Sequence, residues 1–167
     1  MIAAQHVVER ALACASVDDT IVIVTDSSDA TLRWAGNSMT TNGIATSRRW
    51  EVVSVVRDAA SVRVGTVSST SVDPEEIEAV VRASEAAARS AEPADDAMPL
   101  LPGEPASDSP EWDRPALHTS IDVFGALATE LNVGFDGRDA LYGFAQHRID
   151  NVWLGTSTCL LYTSPSP

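Results

Sequence analysis

The chain has 167 residues, of which 44% are hydrophobic, enough for the core of one ordinary domain. Eleven basic against 24 acidic residues give a net charge of -13, which opposes binding to nucleic acids or anionic membranes. All eleven basic residues are arginine, so a lysine Schiff base and a P-loop lysine are both excluded.

Residues 1–91 predict a helix, an antiparallel sheet and a second, longer helix. Apolar residues recur on one side of a helix from Ala3 to Ala15. The β-branched runs Thr20–Thr25 and Thr31–Ala35 flank Asp26-Ser27-Ser28-Asp29, a cluster of turn-forming residues. This pattern predicts a β-hairpin that turns at residues 26–29.

Two more strands are predicted at Arg49–Val56 and Ser61–Val67, followed by a helix at Asp73–Ala91. Asp73 is suited to the N-cap of that helix and Pro74 to its first position. The same helix is expected to carry two i,i+4 ion pairs, Glu78 with Arg82 and Glu85 with Arg89.

Residues 92–115 differ in composition from the segments on either side. They hold six of the nine prolines and seven carboxylates, which predicts an extended acidic crossover on the surface. Its charges are expected to be solvated rather than to form a binding site.

Residues 116–158 predict a further helix and a pair of strands. Ser120 can cap a helix whose apolar side is formed by Val123, Phe124, Leu127 and Leu131. The strands are predicted at Leu141–Ile149 and Asn151–Thr158, with a tight turn at Asp150. The expected fold class is α+β, with an antiparallel or mixed sheet packed against two or three helices.

Sequence motifs for catalysis or cofactor binding are absent from the chain. Its three histidines, at positions 6, 118 and 147, cannot form an HExxH motif, and no GxSxG, GxGxxG or P-loop motif occurs. Two isolated cysteines, Cys14 and Cys159, cannot form a zinc ribbon or a disulfide framework. We therefore expect no catalytic residue, bound cofactor or metal ligand in this chain.

Two further features of the sequence have both a chemical and a structural interpretation. Asp26 and Asp29 follow a hydrophobic strand and could bind a hard cation, but a hairpin turn accounts for them better. His147 could carry a proton, although no partner carboxylate is evident in the sequence. Cys14 is expected to be a small apolar residue of the first helix.

The segment Leu32–Gly43, which reads LRWAGNSMTTNG, resembles the N-terminal domain of the TldD/PmbA family, where a similar strand and turn occurs. The elements that follow resemble that domain in their order as well, so the resemblance covers residues 1–158. Arg33, Trp34 and Asn37 are its candidate structural or interface residues. The simpler interpretation is a strand end and a turn held by Asn37.

The resemblance implies a function in proteolysis. The family comprises zinc-dependent peptidases that cleave unfolded or modified peptides, and TldD-type catalytic subunits pair there with PmbA-type (TldE-type) partners. Apart from the resemblance, the two isolated cysteines and an N-terminus unlike a secretory signal predict a cytoplasmic location. The HExxxH-like zinc motif of catalytic members lies beyond the N-terminal domain. The chain is thus expected to be a truncated PmbA/TldE-like fragment of actinobacterial type, which serves as a scaffold or partner-interface domain and lacks the zinc site.

Two other interpretations remain open. A free-standing acidic α+β module could bind a protein partner without enzymatic activity. A metal-dependent enzyme is less favoured because its ligands would have to converge from distant segments. Residues 159–167, CLLYTSPSP, resemble a translated sequencing adapter and are expected to be an artefactual tail.

Overall fold

The structure is a computed structural model that describes residues 2–59, 61–102, 112–158 and 161–166. The helices in these ranges are α1 (Ala4–Cys14), α2 (Pro74–Ser90) and α3 (Gly125–Phe135), the last preceded by a 3-10 turn at Ile121–Phe124. The strands are β1 (Asp19–Ala35), β2 (Met39–Arg57), β3 (Val62–Ser69), β4 (Tyr142–Thr156) and β5 (Leu161–Ser166). They form a sheet in the order β3-β2-β1-β4-β5, so the predicted α+β class is confirmed.

Both helices predicted in the first half are present within one or two residues of their expected ends. The predicted ion pairs on α2 are also present, with N to O distances of 4.0 Å for Arg82 and Glu78 and 3.6 Å for Arg89 and Glu85. Asp73 is the N-cap residue of α2, but its side chain makes no capping hydrogen bond. No helix in the described ranges is long and apolar enough to cross a membrane.

The hairpin predicted at residues 26–29 is wrong, because β1 runs through this segment without a break. The turn-forming side chains bond to neighbouring strands instead. Asp26 forms an ion pair with Arg48 of β2, and Ser27 donates a hydrogen bond of 2.6 Å to Asp150 of β4. The alternation of buried residues also stays in phase on both sides of the segment, at Thr20, Val22, Val24, Ser28, Ala30 and Leu32.

The turn predicted at Asp150 is wrong for the same reason. Strand β4 is continuous, and Asp150 lies inside it with its carboxylate bonded to Ser27 and Arg148. Strand β2 begins at Met39, well before its predicted start at Arg49. The antiparallel pairing of β2 with β3 runs from Trp50 opposite Ser69 to Arg57 opposite Val62.

The described chain divides into two compact units. The first comprises Met1–Asp26, Arg48–Pro115 and Val152–Ser164, and the second comprises Ser27–Ser47, Ala116–Asn151 and Pro165–Pro167. In the first unit, the sheet and helices bury an apolar core that includes Val7, Val8, Val22, Val24, Trp50, Val52, Ile77 and Val81. Burial of such side chains contributes roughly 1.5 to 3 kcal/mol each, which accounts for the close packing of α1 and α2.

A buried carboxylate, Glu85, links α1 to α2 within the first unit. Its side chain is 2% exposed and accepts hydrogen bonds from the Ser16 amide at 2.7 Å and from Arg82 at 2.9 Å. Arg82 also donates to the carbonyl of Cys14 at 2.8 Å. Burial alone raises the pKa of Glu85, but the hydrogen bonds from Ser16 and Arg82 outweigh it, so the pKa lies below its ordinary value.

The crossover is irregular where it is described. Residues 92–102 and 112–115 form neither helix nor strand, and residues 103–111 lie outside the described part. Trp112 is buried, and its indole N–H donates to Glu9 of α1 at 3.1 Å. The chain therefore returns to α1 at Trp112 before it enters the second unit.

The second unit has a smaller core, formed by Ala30, Leu32 and Phe124. The helix predicted after Ser120 is present, and the Ser120 hydroxyl accepts a capping hydrogen bond from the amide of Asp122 at 3.2 Å. Its predicted apolar side is only partly buried, because Val123 and Leu127 remain exposed. Strand β5 lies beside β4 in the sheet, within residues 159–167, for which the sequence predicts an artefactual tail.

Candidate functional site

The hairpin between β1 and β2 carries the residues selected from the sequence. Gly36 and Asn37 have φ angles of 58° and 62°, and the amide of Ala35 donates to the carbonyl of Ser38 at 2.9 Å. Two consecutive residues with positive φ form a tight hairpin turn, for which glycine and asparagine are the preferred residue types.

Asn37 connects this turn to the loop between α3 and β4. Its side-chain amide donates to the carbonyls of Phe135 at 3.2 Å and Asp139 at 3.0 Å. Its side-chain oxygen accepts from the amide of Leu141 at 2.6 Å. All three bonds are to backbone groups, so Asn37 holds the loop in place and leaves no polar atom directed at a ligand.

Trp34 and Arg33 point to opposite faces of β1. Trp34 packs against the core of the second unit, and its ring lies so close to Gly143 that a Cβ there would fall 2.5 Å from the ring. Arg33 is exposed. The structure thus brings the three residues together at one end of the unit, where two of them stabilise it and one faces solvent.

A network of polar side chains crosses the sheet from β1 to β4. Arg148 donates to Asp150 at 2.9 Å and to Ser27 at 2.9 Å, and it lies 3.4 Å from Asp29. Gln146 donates to Asp29 at 2.7 Å. The hydrogen bond from Ser27 lowers the pKa of Asp150, and Arg148 adds to this effect against the opposing effect of burial.

Neither chemical alternative taken from the sequence gains support from this geometry. Asp26 and Asp29 are each paired with an arginine, and no group of three or more histidine, cysteine or acidic side chains suited to a metal occurs in the described ranges. His147 shares a hydrogen bond of 2.7 Å with the Thr119 hydroxyl. That hydroxyl is not a carboxylate that could orient a catalytic imidazole.

The outstanding surface feature of the second unit is the open face of its sheet. The aromatic side chains of Tyr142 and Phe144 are 71% and 68% exposed. Alternate residues of a strand share a face, so this pair lies on the side of Gln146 and Arg148, while Ala145 packs against the core. Apolar patches of this kind, bordered by polar groups, commonly mark protein-binding surfaces.

Sequence reasoning did not select Tyr142 and Phe144. The alternating pattern Tyr-Gly-Phe-Ala-Gln-His-Arg at residues 142–148 was available as a signal, since it places two aromatics and two polar residues on one face. Which face the helices cover depends on tertiary packing, and for that reason the sequence did not show that this face is the exposed one.

The arrangement defines an α+β domain of the type found in TldE and related proteins. TldE from Thermococcus kodakarensis has a similar fold, with a TM-score of 0.67 and 14% identity over 96% of this chain and 36% of that one. A proposed modulator of DNA gyrase from Bacteroides thetaiotaomicron gives a TM-score of 0.66 and 14% identity over 98% of this chain and 38% of that one.

A second proposed gyrase modulator, from Thermotoga maritima, gives a TM-score of 0.55 and 11% identity over 88% of this chain and 33% of that one. At such identities the similarity establishes the shared fold. The chain spans between 33% and 38% of the length of these three neighbours. No family model matches the sequence, and no curated protein is significantly similar to it.

Proposed function

We propose that this chain is an N-terminal domain of a TldD/PmbA family protein. In this proposal it is a scaffold and partner-interface domain of a cytoplasmic zinc-dependent peptidase assembly that cleaves unfolded or modified peptides. The catalytic zinc belongs to a TldD-type partner subunit. The shared fold with TldE supports the proposal.

The single observation that carries the partner-interface role is the open face with Tyr142 and Phe144. Large aromatic residues are costly to leave in water, at roughly 25 cal/mol for each Å² of apolar surface. Buried aromatic residues are also the commonest energetic centres of protein interfaces. Arg148 and Gln146 on the same face, held by Asp29, supply polar groups at the edge of such a contact.

The first prediction tests this face by binding. The chain is mixed with the TldD-type subunit of the same genome, and the dissociation constant is measured by sedimentation velocity. The double variant Tyr142→Ser/Phe144→Ser is expected to raise the dissociation constant at least about tenfold, because it removes both exposed aromatics.

A matched control is Val123→Ser/Leu127→Ser, which removes two exposed apolar side chains of the same unit that lie elsewhere on its surface. This variant is expected to bind as the wild type does. Equal weakening by both variants would contradict the assignment of the face. Absence of binding by the wild type would instead favour the free-standing acidic protein-binding module.

A further inference from the structure

The first part of β2 is a strand segment with little to hold it in place. Residues 39–47, here called the β2 arm, are exposed at every position, on both faces of the strand. Strand β3 pairs with β2 only from Trp50 to Arg57, so within the described residues the arm has β1 as its one neighbouring strand. Segments with few buried contacts open locally at little cost in free energy. The arm is therefore expected to leave the strand conformation transiently far more often than the core of the sheet does.

The β2 arm contains the dipeptide Asn42-Gly43. Both residues are exposed, and nothing lies within 4 Å of the position that a Cβ of Gly43 would occupy. The backbone nitrogen that follows an asparagine can attack the asparagine side-chain carbonyl and close a cyclic imide. Glycine obstructs this attack least because it has no side chain, and it also adopts the required backbone conformation most easily. That conformation lies outside the strand region, and local opening of the arm makes it accessible.

The three other asparagines of the chain are better protected. Asn37 is held by three hydrogen bonds to backbone groups and is followed by serine. Asn151 is 4% exposed, bonds to the backbone of Leu117 and is followed by valine. Asn132 is exposed but lies inside α3, where the next amide bonds within the helix and belongs to a β-branched valine. Among the four, all of which the structure describes, Asn42 alone combines exposure, a following glycine and a weakly held backbone.

We propose that Asn42 is a site of spontaneous covalent modification, which converts it through a cyclic imide to aspartate and isoaspartate. The backbone nitrogen of Gly43 forms a bond to the side-chain carbonyl carbon of Asn42, and the bond from that carbon to the side-chain nitrogen breaks. Ammonia leaves and carries away the amide proton of Gly43. Water then adds at either carbonyl of the imide and opens the ring. Water is the only co-reactant, and nothing is oxidised or reduced.

The modification changes the β2 arm in charge and in backbone length. Either product places a carboxylate in the stretch between Arg33 and Arg48, which is otherwise uncharged. Isoaspartate also adds a carbon to the main chain, so it interrupts the regular pairing of the arm with β1. The proposal goes beyond the partner-interface role, because it concerns the arm and not the face that carries Tyr142 and Phe144. Either proposal can therefore fail while the other holds.

The second prediction compares the four asparagines within one sample. The full chain is incubated in mildly alkaline buffer, and peptide mapping by mass spectrometry measures the converted fraction at each asparagine over time. Conversion at Asn42 is expected to be at least about tenfold faster than at Asn37, Asn132 or Asn151, with aspartate and isoaspartate both formed. In urea, which unfolds the chain, conversion at Asn37 should rise more than conversion at Asn42, because Asn37 then loses the hydrogen bonds that protect it.

Two variants accompany this experiment. Gly43→Ala adds a methyl group beside the attacking nitrogen at a position where nothing is close enough to clash with it. It is expected to slow conversion at Asn42 at least about tenfold while circular dichroism stays that of the wild type. Thr46→Ala, at an exposed position of the arm away from the dipeptide, is the matched control and should convert at the wild-type rate.

Four outcomes would overturn the proposal. The first is an Asn42 that stays intact in the folded wild type, and the second is conversion at Asn37 as fast as at Asn42. The third is a rate at Asn42 that rises in urea as steeply as the rate at Asn37, which would mean that the fold protects both residues alike. The fourth is a Gly43→Ala variant that converts at the wild-type rate.

Discussion

Individual polar residues in this protein find their partners far along the chain. Glu85 illustrates this, since the sequence predicts its ion pair with Arg89, one turn away, whereas the structure adds a hydrogen bond from the amide of Ser16, 69 residues away. Asn37 likewise bonds to backbone groups about a hundred residues away. Contacts within one helix can be predicted from spacing alone, but contacts between distant segments require the fold.

The third prediction concerns Glu85→Gln. The substitution keeps the shape of the side chain but removes the charge that accepts hydrogen bonds from Ser16 and Arg82. The free energy of unfolding at pH 7 should fall by about 2 kcal/mol, the usual range for a hydrogen bond to a charged group. Glu78→Gln, at an exposed position of the same helix, should stay within about 0.5 kcal/mol of wild type. Urea unfolding measures both values.

The pH dependence of this effect follows from the direction of the pKa shift. The pKa of Glu85 is lower in the folded than in the unfolded chain, where it is near 4.5, so the unfolded chain binds the proton first. The stabilisation is fully present above the unfolded pKa and is lost as the pH falls through the lower folded value. Wild type and Glu85→Gln should therefore converge in acid. A difference that stays constant from neutral to acid pH would contradict this account.

Helices were predicted well because their signal is local, whereas strand ends were predicted poorly. The apolar periodicity of α1 and α2 lies within each segment, and tertiary contacts did not alter it. The strand breaks predicted at residues 26–29 and at Asp150 were wrong because polar side chains of the two segments form hydrogen bonds with each other between β1 and β4. The hydrogen bond from Ser27 to Asp150 is an example. The early start of β2 was missed because its exposed residues show no apolar alternation.

The fourth prediction tests the contact between β3 and α2. A Cβ at Gly65 would lie 2.5 Å from the carbonyl oxygen of Ser84 and closer still to the amide of Ala88, and backbone atoms cannot move aside as a side chain can. Gly65→Ala should cost about 1 to 3 kcal/mol of stability through overpacking. Gly43→Ala, where nothing lies within 4 Å, should be close to neutral in thermal unfolding. Equal losses of stability in Gly65→Ala and Gly43→Ala would contradict this close contact between β3 and α2.

The whole molecule combines a fold that the sequence largely predicts with a surface that it does not. The α+β class follows from the order of periodic and β-branched segments. Arg33, Trp34 and Asn37 were selected because the segment Leu32–Gly43 resembles a strand and turn of the TldD/PmbA N-terminal domain. Tyr142 and Phe144 were not predicted as surface residues because their exposure is a property of the assembled sheet.

The measurement that tests the proposed function most directly is hydrolysis of an unfolded peptide by the TldD-type subunit, with and without this chain. The fifth prediction is that the chain alone does not hydrolyse the peptide and that adding it raises the rate of the subunit. The Tyr142→Ser/Phe144→Ser variant should need about tenfold higher concentration for the same effect. A rate that does not change with added chain, or that responds equally to wild type and variant, would contradict the account.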